Sequence, residues 1–299
     1  MSGQAASKIG LVAGWGRYPI VVAQALRSQG HQVYCLAIKD HADPALRDLC
    51  HAWQPQGLAR LGAALRYFHR HGVTQATMAG KIHKVLIFRK YHWLRHLPDW
   101  KFFQTFYPHW ITKTKDRKDD TILGTIVAAF AREGIHFGPA TDYAPELLVR
   151  AGNLTNRVPS AYQWKDIQFG WQLAKELGRV DVGQSVAVKG LAVLAVEAVE
   201  GTDECIRRAG QLCPSGGFTV VKVAKPQQDM RFDVPTIGPG TVQTLVESGA
   251  AALAIEAGKT IVLDQDEVVR LADRHKLAIV AVHADEVPAV NVPAANGRS

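Results

Sequence analysis

The sequence has too few cysteines to build a disulfide scaffold. Its 299 residues include four, at positions 35, 50, 205 and 213, and no two are in a Cys-x-x-Cys pair. We therefore expect reduced, structural thiols. The chain also lacks an uncharged apolar run of about 18 residues, which a membrane-spanning helix would need. Its first residues do not have the basic-then-apolar pattern of a signal peptide. These absences predict a cytoplasmic protein.

Common nucleotide and metal motifs are missing as well. No GxxxxGK[ST] motif is present, so a P-loop nucleotidase is not supported, and no HExxH or paired His/Cys set marks a zinc site. Any bound metal would be a hard cation held by oxygen ligands. Two acids, Asp119 and Asp120, lie in the first turn of a predicted helix at 119–134. They would suit Mg²⁺, but the helix dipole favours them there for structural reasons alone.

The order of predicted elements indicates an α/β protein with two domains. In the first half, strands at 9–13, 33–38 and 75–80 alternate with helices at 19–29 and 58–71, a pattern typical of a parallel sheet covered on both faces. The length allows two domains of about 150 residues each. We place the first at 1–150, a linker at 151–165, a second α/β domain at 166–285 and a tail at 286–299.

The turn GWGRYP follows the first strand. Gly14 and Gly16 are suited to receive a phosphate at a helix N-terminus, and Asp40 near the end of the second strand fits a dinucleotide site. Pro19, however, stands where the dinucleotide fingerprint has Gly or Ala. A phosphate site, an NAD(P) site and a tight turn without a ligand all remain open.

The positive charge of the chain is concentrated in one segment. Residues 81–118 hold ten of the 35 basic residues and two of the 27 acidic ones, which leaves 25 of each sign elsewhere. Nine of the 24 aromatic residues lie in the same segment. Interleaved cations and aromatic rings suit an anionic lipid surface or a nucleic acid. The alternative is a helical insertion whose rings face the core and whose cations are solvated.

The stretch KVAKPQQDMRFDVPTIGPG, residues 222–240, combines cations, acids and amides with a Pro/Gly-rich turn. If residues 225–233 run extended, alternate side chains share one face. That face would carry charges able to neutralise a phosphate and hold a water, as phosphoryl transfer requires. The alternative is an edge strand whose charges pair with one another. The face consists of Lys225, Gln227, Asp229, Arg231 and Asp233.

A second acidic group lies in EAVEGTDE. Glu197, Glu200, Asp203 and Glu204 would supply metal ligands, although a capped helix start predicts the same pattern. In the latter case Thr202 would be the N-cap. The preceding segment predicts two strands about a turn at Lys189 and Gly190.

Several of these stretches together resemble a known family over nearly the whole chain. They are LVAGWGRYP, the AGK triplet at 79–81, the DD pair, GRVDVGQSVAV, VKGLAVLAVEAVEGTDE and KVAKPQQDMRFDVPTIG. The chain resembles the UDP-2,3-diacylglucosamine pyrophosphatases that lack the calcineurin-like metallophosphoesterase fold. The resemblance implies an N-terminal Rossmann-like parallel sheet with flanking helices and a C-terminal mixed α/β domain. It also implies a hydrolase of lipid A biosynthesis in which water attacks the α-phosphorus, releasing UMP and lipid X with Mg²⁺ required.

The resemblance and the residue chemistry together define the expected site. The family aspartate of the R-x-D-x-P-T-I-G motif falls on Asp233, which we expect to be catalytic and to bind Mg²⁺ or orient the water. The role of Asp229 beside it stays open. The expected further metal ligands are Asp229, Glu197, Glu200 and Asp203. The expected substrate-binding residues are Gly14, Gly16, Lys189, Thr202, Lys222, Lys225, Gln228, Arg231 and Thr236.

The segment at about 82–117 is longer, more basic and more aromatic than the family pattern. Because the implied substrate carries two acyl chains, we expect this segment to dock on the anionic cytoplasmic face of the inner membrane, and we expect no nucleic-acid partner. Two alternatives are an NAD(P)-binding Rossmann oxidoreductase and a non-catalytic binder of anionic lipid or nucleic acid.

Overall fold

A computed structural model describes residues 7–82, 97–111, 119–231 and 234–287. The chain divides into two compact units. The first unit comprises residues 1–145 with 229–233, and the second comprises 146–228 with 234–299.

The first unit is built on a five-stranded, all-parallel sheet in the order β3-β2-β1-β4-β5. This confirms the predicted parallel α/β architecture. Its strands are β1 (Lys8–Ala13), β2 (Gln32–Ile38), β3 (Ala52–Gln56), β4 (Gln75–Ala79) and β5 (His136–Phe137). Its helices are α1 (Tyr18–Ser28), α2 (Leu46–Leu49), α3 (Leu61–His71), α4 (Trp100–Ile111) and α5 (Asp119–Arg132).

Both faces of this sheet are buried, because alternate strand residues point to opposite sides. Val33 and Cys35 of β2 pack in one apolar cluster with α1, while Tyr34 and Leu36 pack in another with α3 and α5. The strand β3, with the sequence AWQPQ, is absent from our prediction. Pro55 cannot donate to a sheet ladder, but β3 is an edge strand with one neighbour, where proline is tolerated.

The second unit has a mixed six-stranded sheet in the order β6-β13-β11-β9-β7-β8. Strands β9, β11 and β13 are mutually parallel, whereas β6, β7 and β8 run antiparallel to their neighbours. The strands are β6 (Gly152–Asn153), β7 (Ser185–Lys189), β8 (Ala192–Val196), β9 (Phe218–Lys222), β11 (Ala250–Glu256) and β13 (Ala278–Val282). A separate parallel pair consists of β10 (Thr236–Ile237) and β12 (Ile261–Val262).

Helices cover this sheet on both sides. The long helix α6 (Ala161–Arg179) packs Ile167 and Trp171 against one face. The opposite face is covered by α7 (Thr202–Leu212), α8 (Pro239–Glu247) and α9 (Gln265–Arg274).

The segment 151–165 is integral to the second unit and is not a linker. Within it, β6 pairs with β13, and α6 begins at Ala161. Ser160 and Gln163 form a reciprocal capping box at the helix start, which fixes that boundary.

The predicted turn between β7 and β8 is present, one residue later than expected. Gly190 and Leu191 both have positive φ, 58° and 64°. The buried carboxylate of Asp166 accepts hydrogen bonds from both backbone N–H groups, at 3.1 and 2.7 Å. A buried acid on α6 therefore stabilises a strained hairpin turn.

Among the described residues, no helix combines the length and the apolar character needed to cross a bilayer.

Candidate functional site

The carboxyl ends of the parallel strands form a distinct edge of the second-unit sheet. Strand β9 ends at Lys222 and β11 ends at Glu256, while the antiparallel β7 begins here with Ser185, the register partner of Lys222. In open α/β sheets, ligands bind outside the carboxyl ends of the strands. This edge is therefore the candidate site, and the stretch 222–240 starts from it.

Three side chains at this edge form what we call the Lys222 network, consisting of Lys222, Thr202 and Glu197. The Lys222 Nζ donates to Thr202 Oγ1 at 2.9 Å, and Thr202 Oγ1 donates to Glu197 Oε1 at 2.9 Å. Lys222 is 5% exposed and Glu197 is 8% exposed. The network thus holds a buried cation and a buried acid on either side of a hydroxyl.

Thr202 is not the helix N-cap. Gly201 takes that position with φ 86°, and no side chain caps the start of α7. The Thr202 hydroxyl is committed to Lys222 and Glu197 instead, which is the physical reason for the difference.

The acids of EAVEGTDE do not assemble into a metal site. Glu197 bonds Thr202, Glu200 bonds the Arg208 guanidinium at 2.5 Å, and Asp203 is exposed in the first turn of α7. Within the described part of the chain, no three His, Cys, Asp or Glu side chains are grouped to hold a metal. The predicted ligand set of Glu197, Glu200 and Asp203 is therefore not brought together.

Residues 225–231 form turns, so the prediction that they are extended is wrong. Gln228 N–H donates to the Lys225 carbonyl at 3.0 Å, and Lys225 N–H donates to Gln228 Oε1 at 2.7 Å. Pro226 occupies the second position of this turn, where its fixed φ is favourable. Gln228 closes the turn, and the alternation that would place five side chains on one face is lost.

Asp229 and Arg231 bind each other. Arg231 Nε donates to Asp229 Oδ1 at 2.9 Å, and Nη2 donates to Oδ2 at 2.6 Å. These hydrogen bonds hold the pKa of Asp229 below its ordinary value and raise the pKa of Arg231. Asp229 therefore neutralises Arg231, and this bidentate pairing does not fit its predicted role as a metal ligand. Asp233, the predicted catalytic residue, lies outside the described residues.

The start of this stretch is clamped by groups that our sequence reasoning missed. Glu256 Oε2 accepts from the Ala224 N–H at 2.8 Å, and Lys175 Nζ donates to the Ala224 carbonyl at 2.9 Å. The two side chains also bind each other at 2.6 Å, and burial lowers the pKa of Lys175. One signal was available: Glu256 is a charged residue at the end of the otherwise apolar, buried strand β11.

Lys225 is likewise held by an ion pair, with Asp181. Its Nζ lies 2.7 Å from Asp181 Oδ1, and both side chains are partly buried. Thr236 is in β10, where its hydroxyl donates to the Val234 carbonyl at 2.9 Å. Both residues flank the part of the stretch that contains Asp233.

Lys189 lies at the opposite end of the sheet from Lys222. The register pairs Val188 with Thr219 near the start of β9, so the antiparallel β7 carries Lys189 away from the candidate edge. Its Nζ donates to Ser215 Oγ at 3.0 Å and to the Gly216 carbonyl at 2.5 Å. Lys189 stabilises the loop before β9, and the predicted grouping of Lys189 with Lys222 is wrong.

In the first unit, Gly14 and Gly16 follow β1 at the point where the strand order changes direction between β1 and β4. Such switch points are where open α/β sheets bind ligands. Trp15 and Lys81 exchange two backbone hydrogen bonds there, and a Cβ on Gly14 would lie 2.7 Å from the Lys81 carbonyl oxygen. Gly14 is thus required for packing. Gly16 has φ 107° and open space around a Cβ position, which fits approach by a ligand.

Both units match family models. The model for the LpxI N-terminal domain matches residues 8–147, and that for the LpxI C-terminal domain matches residues 150–280. The chain belongs to the LpxI family. It is similar to the UDP-2,3-diacylglucosamine pyrophosphatase LpxI of Caulobacter vibrioides, with 28% identity over 288 residues. That alignment covers 94% of this chain and 99% of the relative. The family resemblance seen in the sequence is thereby confirmed.

Proposed function

We propose that this chain hydrolyses the diphosphate of UDP-2,3-diacylglucosamine, giving UMP and 2,3-diacylglucosamine 1-phosphate, known as lipid X, in lipid A biosynthesis. One observation carries the proposal, namely that the two LpxI family models together span residues 8–147 and 150–280. The Caulobacter relative, a pyrophosphatase by name, aligns with nearly the full length of both chains. The chain is thus a hydrolase acting on a phosphoanhydride bond.

The charges at the candidate edge support this chemistry. A substrate diphosphate is anionic, and its charge is stabilised most strongly by cations fixed in a poorly solvated place. Lys222 meets this requirement because it is 5% exposed and its ammonium is held by Thr202.

Asp233 is proposed to orient the attacking water toward the α-phosphorus. This role comes from the family motif and does not depend on any contact described above. Asp233→Asn keeps the shape of the side chain but removes its negative charge, so turnover should be lost while folding and substrate binding persist.

Magnesium dependence is proposed on the family resemblance alone. The described carboxylates do not fit a metal-ligand set, since Thr202, Arg208 and Arg231 engage Glu197, Glu200 and Asp229 respectively. When bound, Mg²⁺ would supply positive charge to the diphosphate oxygens. If the protein keeps its full activity in excess EDTA, this part of the proposal is refuted.

The decisive experiment incubates purified protein with UDP-2,3-diacylglucosamine and Mg²⁺ in ¹⁸O-labelled water. We expect UMP and lipid X as products, with the label in UMP, because attack at the α-phosphorus adds water oxygen to the uridine phosphate. Label in lipid X would instead show attack at the β-phosphorus. No UMP above the level of the Asp233→Asn variant would refute the function itself.

We further propose that the protein works at the cytoplasmic face of the inner membrane, docked through residues 82–117. The basic surplus of the segment favours anionic lipid. Helix α4 supports this, because Trp100 and Tyr107, seven residues apart on one face, are 74% and 60% exposed. Phe102 and Phe106 turn the other way and pack on the core of the first unit.

Liposome flotation tests this docking. Combined Trp100→Ala and Tyr107→Ala changes should reduce binding to vesicles containing anionic lipid. Tyr162→Ala is the matched control, since this exposed aromatic residue is in the second unit. Equal binding by the wild type and the double variant would refute the docking surface. Phe102 is left intact because replacing it would disturb the core.

A further inference from the structure

A lysine, a cysteine and a serine lie together at the end of the second-unit sheet that is remote from the candidate edge. Lys189 Nζ lies 3.5 Å from Cys213 Sγ and 3.0 Å from Ser215 Oγ. We propose that Lys189 and Cys213 form an oxidation site, at which hydrogen peroxide converts the amine and the thiol into a reversible sulfur–nitrogen cross-link. The inference goes beyond the proposed function, because it concerns the opposite end of the sheet from Lys222.

The backbone sets the distance between the two reacting groups. Lys189 ends β7, and Cys213 is the C-terminal cap of α7. The loop that follows turns back through Gly216 at φ 60°, where a Cβ would lie 2.8 Å from the Gly249 carbonyl oxygen. The Gly216 carbonyl then accepts from Lys189 Nζ at 2.5 Å. The amine is therefore held beside the sulfur by a fixed loop.

The surroundings of Cys213 favour its thiolate form. Ser215 Oγ lies 3.6 Å from the sulfur, and the Lys189 ammonium donates to it. These two hydrogen bonds, with that of Ser215 the larger influence, hold the pKa of Cys213 below its ordinary value although burial opposes them. The thiolate is the form of cysteine that attacks peroxide.

Cys213 also differs from the other cysteines in its surroundings. It is 8% exposed and follows Leu212, which is 61% exposed. Cys35 and Cys205 are 0% and 1% exposed, and burial raises the pKa of Cys205 to about 12. Cys50 is partly exposed, but it hydrogen-bonds to Cys35, which is a thiol and not an amine. A cross-link to lysine is thus expected at Cys213.

The oxidation takes two steps. First, the Cys213 thiolate attacks one oxygen of hydrogen peroxide, so that an S–O bond forms as the O–O bond breaks. The sulfur loses two electrons to the peroxide, and the departing hydroxide takes a proton from the Lys189 ammonium to become water. The product is a sulfenic acid, a species that condenses with nitrogen nucleophiles.

The second step needs no further oxidant. The neutral Lys189 amine attacks the sulfur, an S–N bond forms as the S–O bond breaks, and the hydroxide leaves as water with a proton from the amine. The net change consumes one peroxide and releases two waters. Two equivalents of an external thiol reverse it, restoring the thiol and the amine and leaving one disulfide of the reagent.

Peptide mass spectrometry tests the cross-link directly. Folded wild-type protein is treated with hydrogen peroxide and digested without reductant. We expect the peptide containing Lys189 joined to the peptide containing Cys213, with a net loss of two hydrogens and release by dithiothreitol. The same treatment in urea should give no such product, because the two groups are then no longer held together.

Variants separate the charge of Lys189 from its amine. In Lys189→Met the cross-link should be absent, and the pH midpoint for alkylation of Cys213 by iodoacetamide should move to higher pH because the thiolate loses its cation. Lys189→Arg keeps the charge, so it should restore the low midpoint but not the cross-link. Lys165→Met, at an exposed lysine of the same unit, is the matched control and should change neither readout. Melting temperatures show that each variant is folded.

Three outcomes would overturn the inference. These are folded wild-type protein that yields no cross-link between Lys189 and Cys213, an equal yield from the protein in urea, and an alkylation midpoint that is the same in Lys189→Met as in the wild type. UMP release is not a readout here, so failure of the proposed function would leave these results to be judged by themselves.

Discussion

Replacing Lys175 with methionine tests the clamp that holds Ala224. In the folded chain Lys175 Nζ lies 2.6 Å from Glu256 Oε2, and Glu256 is 1% exposed. The change leaves a buried carboxylate without its principal cation. Removing one partner of a buried ion pair costs about 3–5 kcal/mol. We expect a smaller cost, about 2–3 kcal/mol, because Lys259 remains 3.1 Å from the other carboxylate oxygen and the Ala224 N–H still donates.

This loss converts to a measurable shift in unfolding temperature. For a cooperative unit of 150 to 250 residues, each kcal/mol lowers Tm by about 2–4 °C, so Lys175→Met should lower it by about 4–12 °C in a calorimetric scan. The matched control is Arg179→Met on the same helix. Arg179 pairs with Glu176, and both side chains are about two-thirds exposed. An exposed pair of this kind contributes below about 0.5 kcal/mol, so the control should move Tm by less than about 2 °C.

A rescue variant sharpens the test. Lys175→Met combined with Glu256→Gln removes the uncompensated charge and keeps an acceptor for the Ala224 N–H. The double variant should therefore be more stable than Lys175→Met alone. If Lys175→Met and Arg179→Met lower Tm equally, or if Glu256→Gln adds its own loss to that of Lys175→Met, then the buried ion pair does not hold this segment.

Three further predictions follow from individual contacts. In Arg231→Met the pKa of Asp229 should rise, because its hydrogen bonds to Arg231 are lost, and carboxyl NMR titration measures this change. In the wild type, the pair should stabilise the fold at pH values above the ordinary aspartate pKa. That stabilisation should be lost as the pH falls through the lowered pKa of Asp229. Gly14→Ala should destabilise the protein, whereas Gly124→Ala, in an open helical position, should stabilise it by about 0.5–1 kcal/mol in thermal melts. Asp166→Ala should cost about 1–2 kcal/mol in the same melts, because two turn N–H groups lose a charged acceptor.

The regular elements were predictable because their patterns are local. Strand β1 and helix α1 lie within one residue of the predicted bounds, since an apolar run, two glycines and Pro19 all mark the same strand-to-helix junction. The edge strand β3 was missed because proline disfavours strands. Only the sheet order shows that Pro55 is in an edge strand with a single neighbour, where a missing N–H is tolerated.

The candidate site was less predictable because its contacts depend on strand direction and on side-chain bonds. Lys189 was grouped with Lys222 because both end an apolar strand, but β7 and β9 are antiparallel, which places the two at opposite ends of the sheet. The extended face predicted for 225–233 is wrong over residues 225–231 for a different reason. Gln228 bonds back to Lys225, so a side chain overrides the alternation that the sequence predicts.

Two lysines near the same sheet edge, Lys222 buried and Lys175 partly buried, illustrate different uses of a charge. The Lys175 ammonium donates to the Glu256 carboxylate and to the Ala224 carbonyl, and these bonds fix the backbone at Ala224. Lys222 donates to the Thr202 hydroxyl, with Glu197 one hydrogen bond beyond. Since direct contact with Glu256 cancels most of the charge on Lys175, that residue is suited to holding the segment in place. The proposed function assigns Lys222 to the substrate diphosphate, so Lys222→Met should mainly lower turnover, whereas Lys175→Met should mainly lower stability.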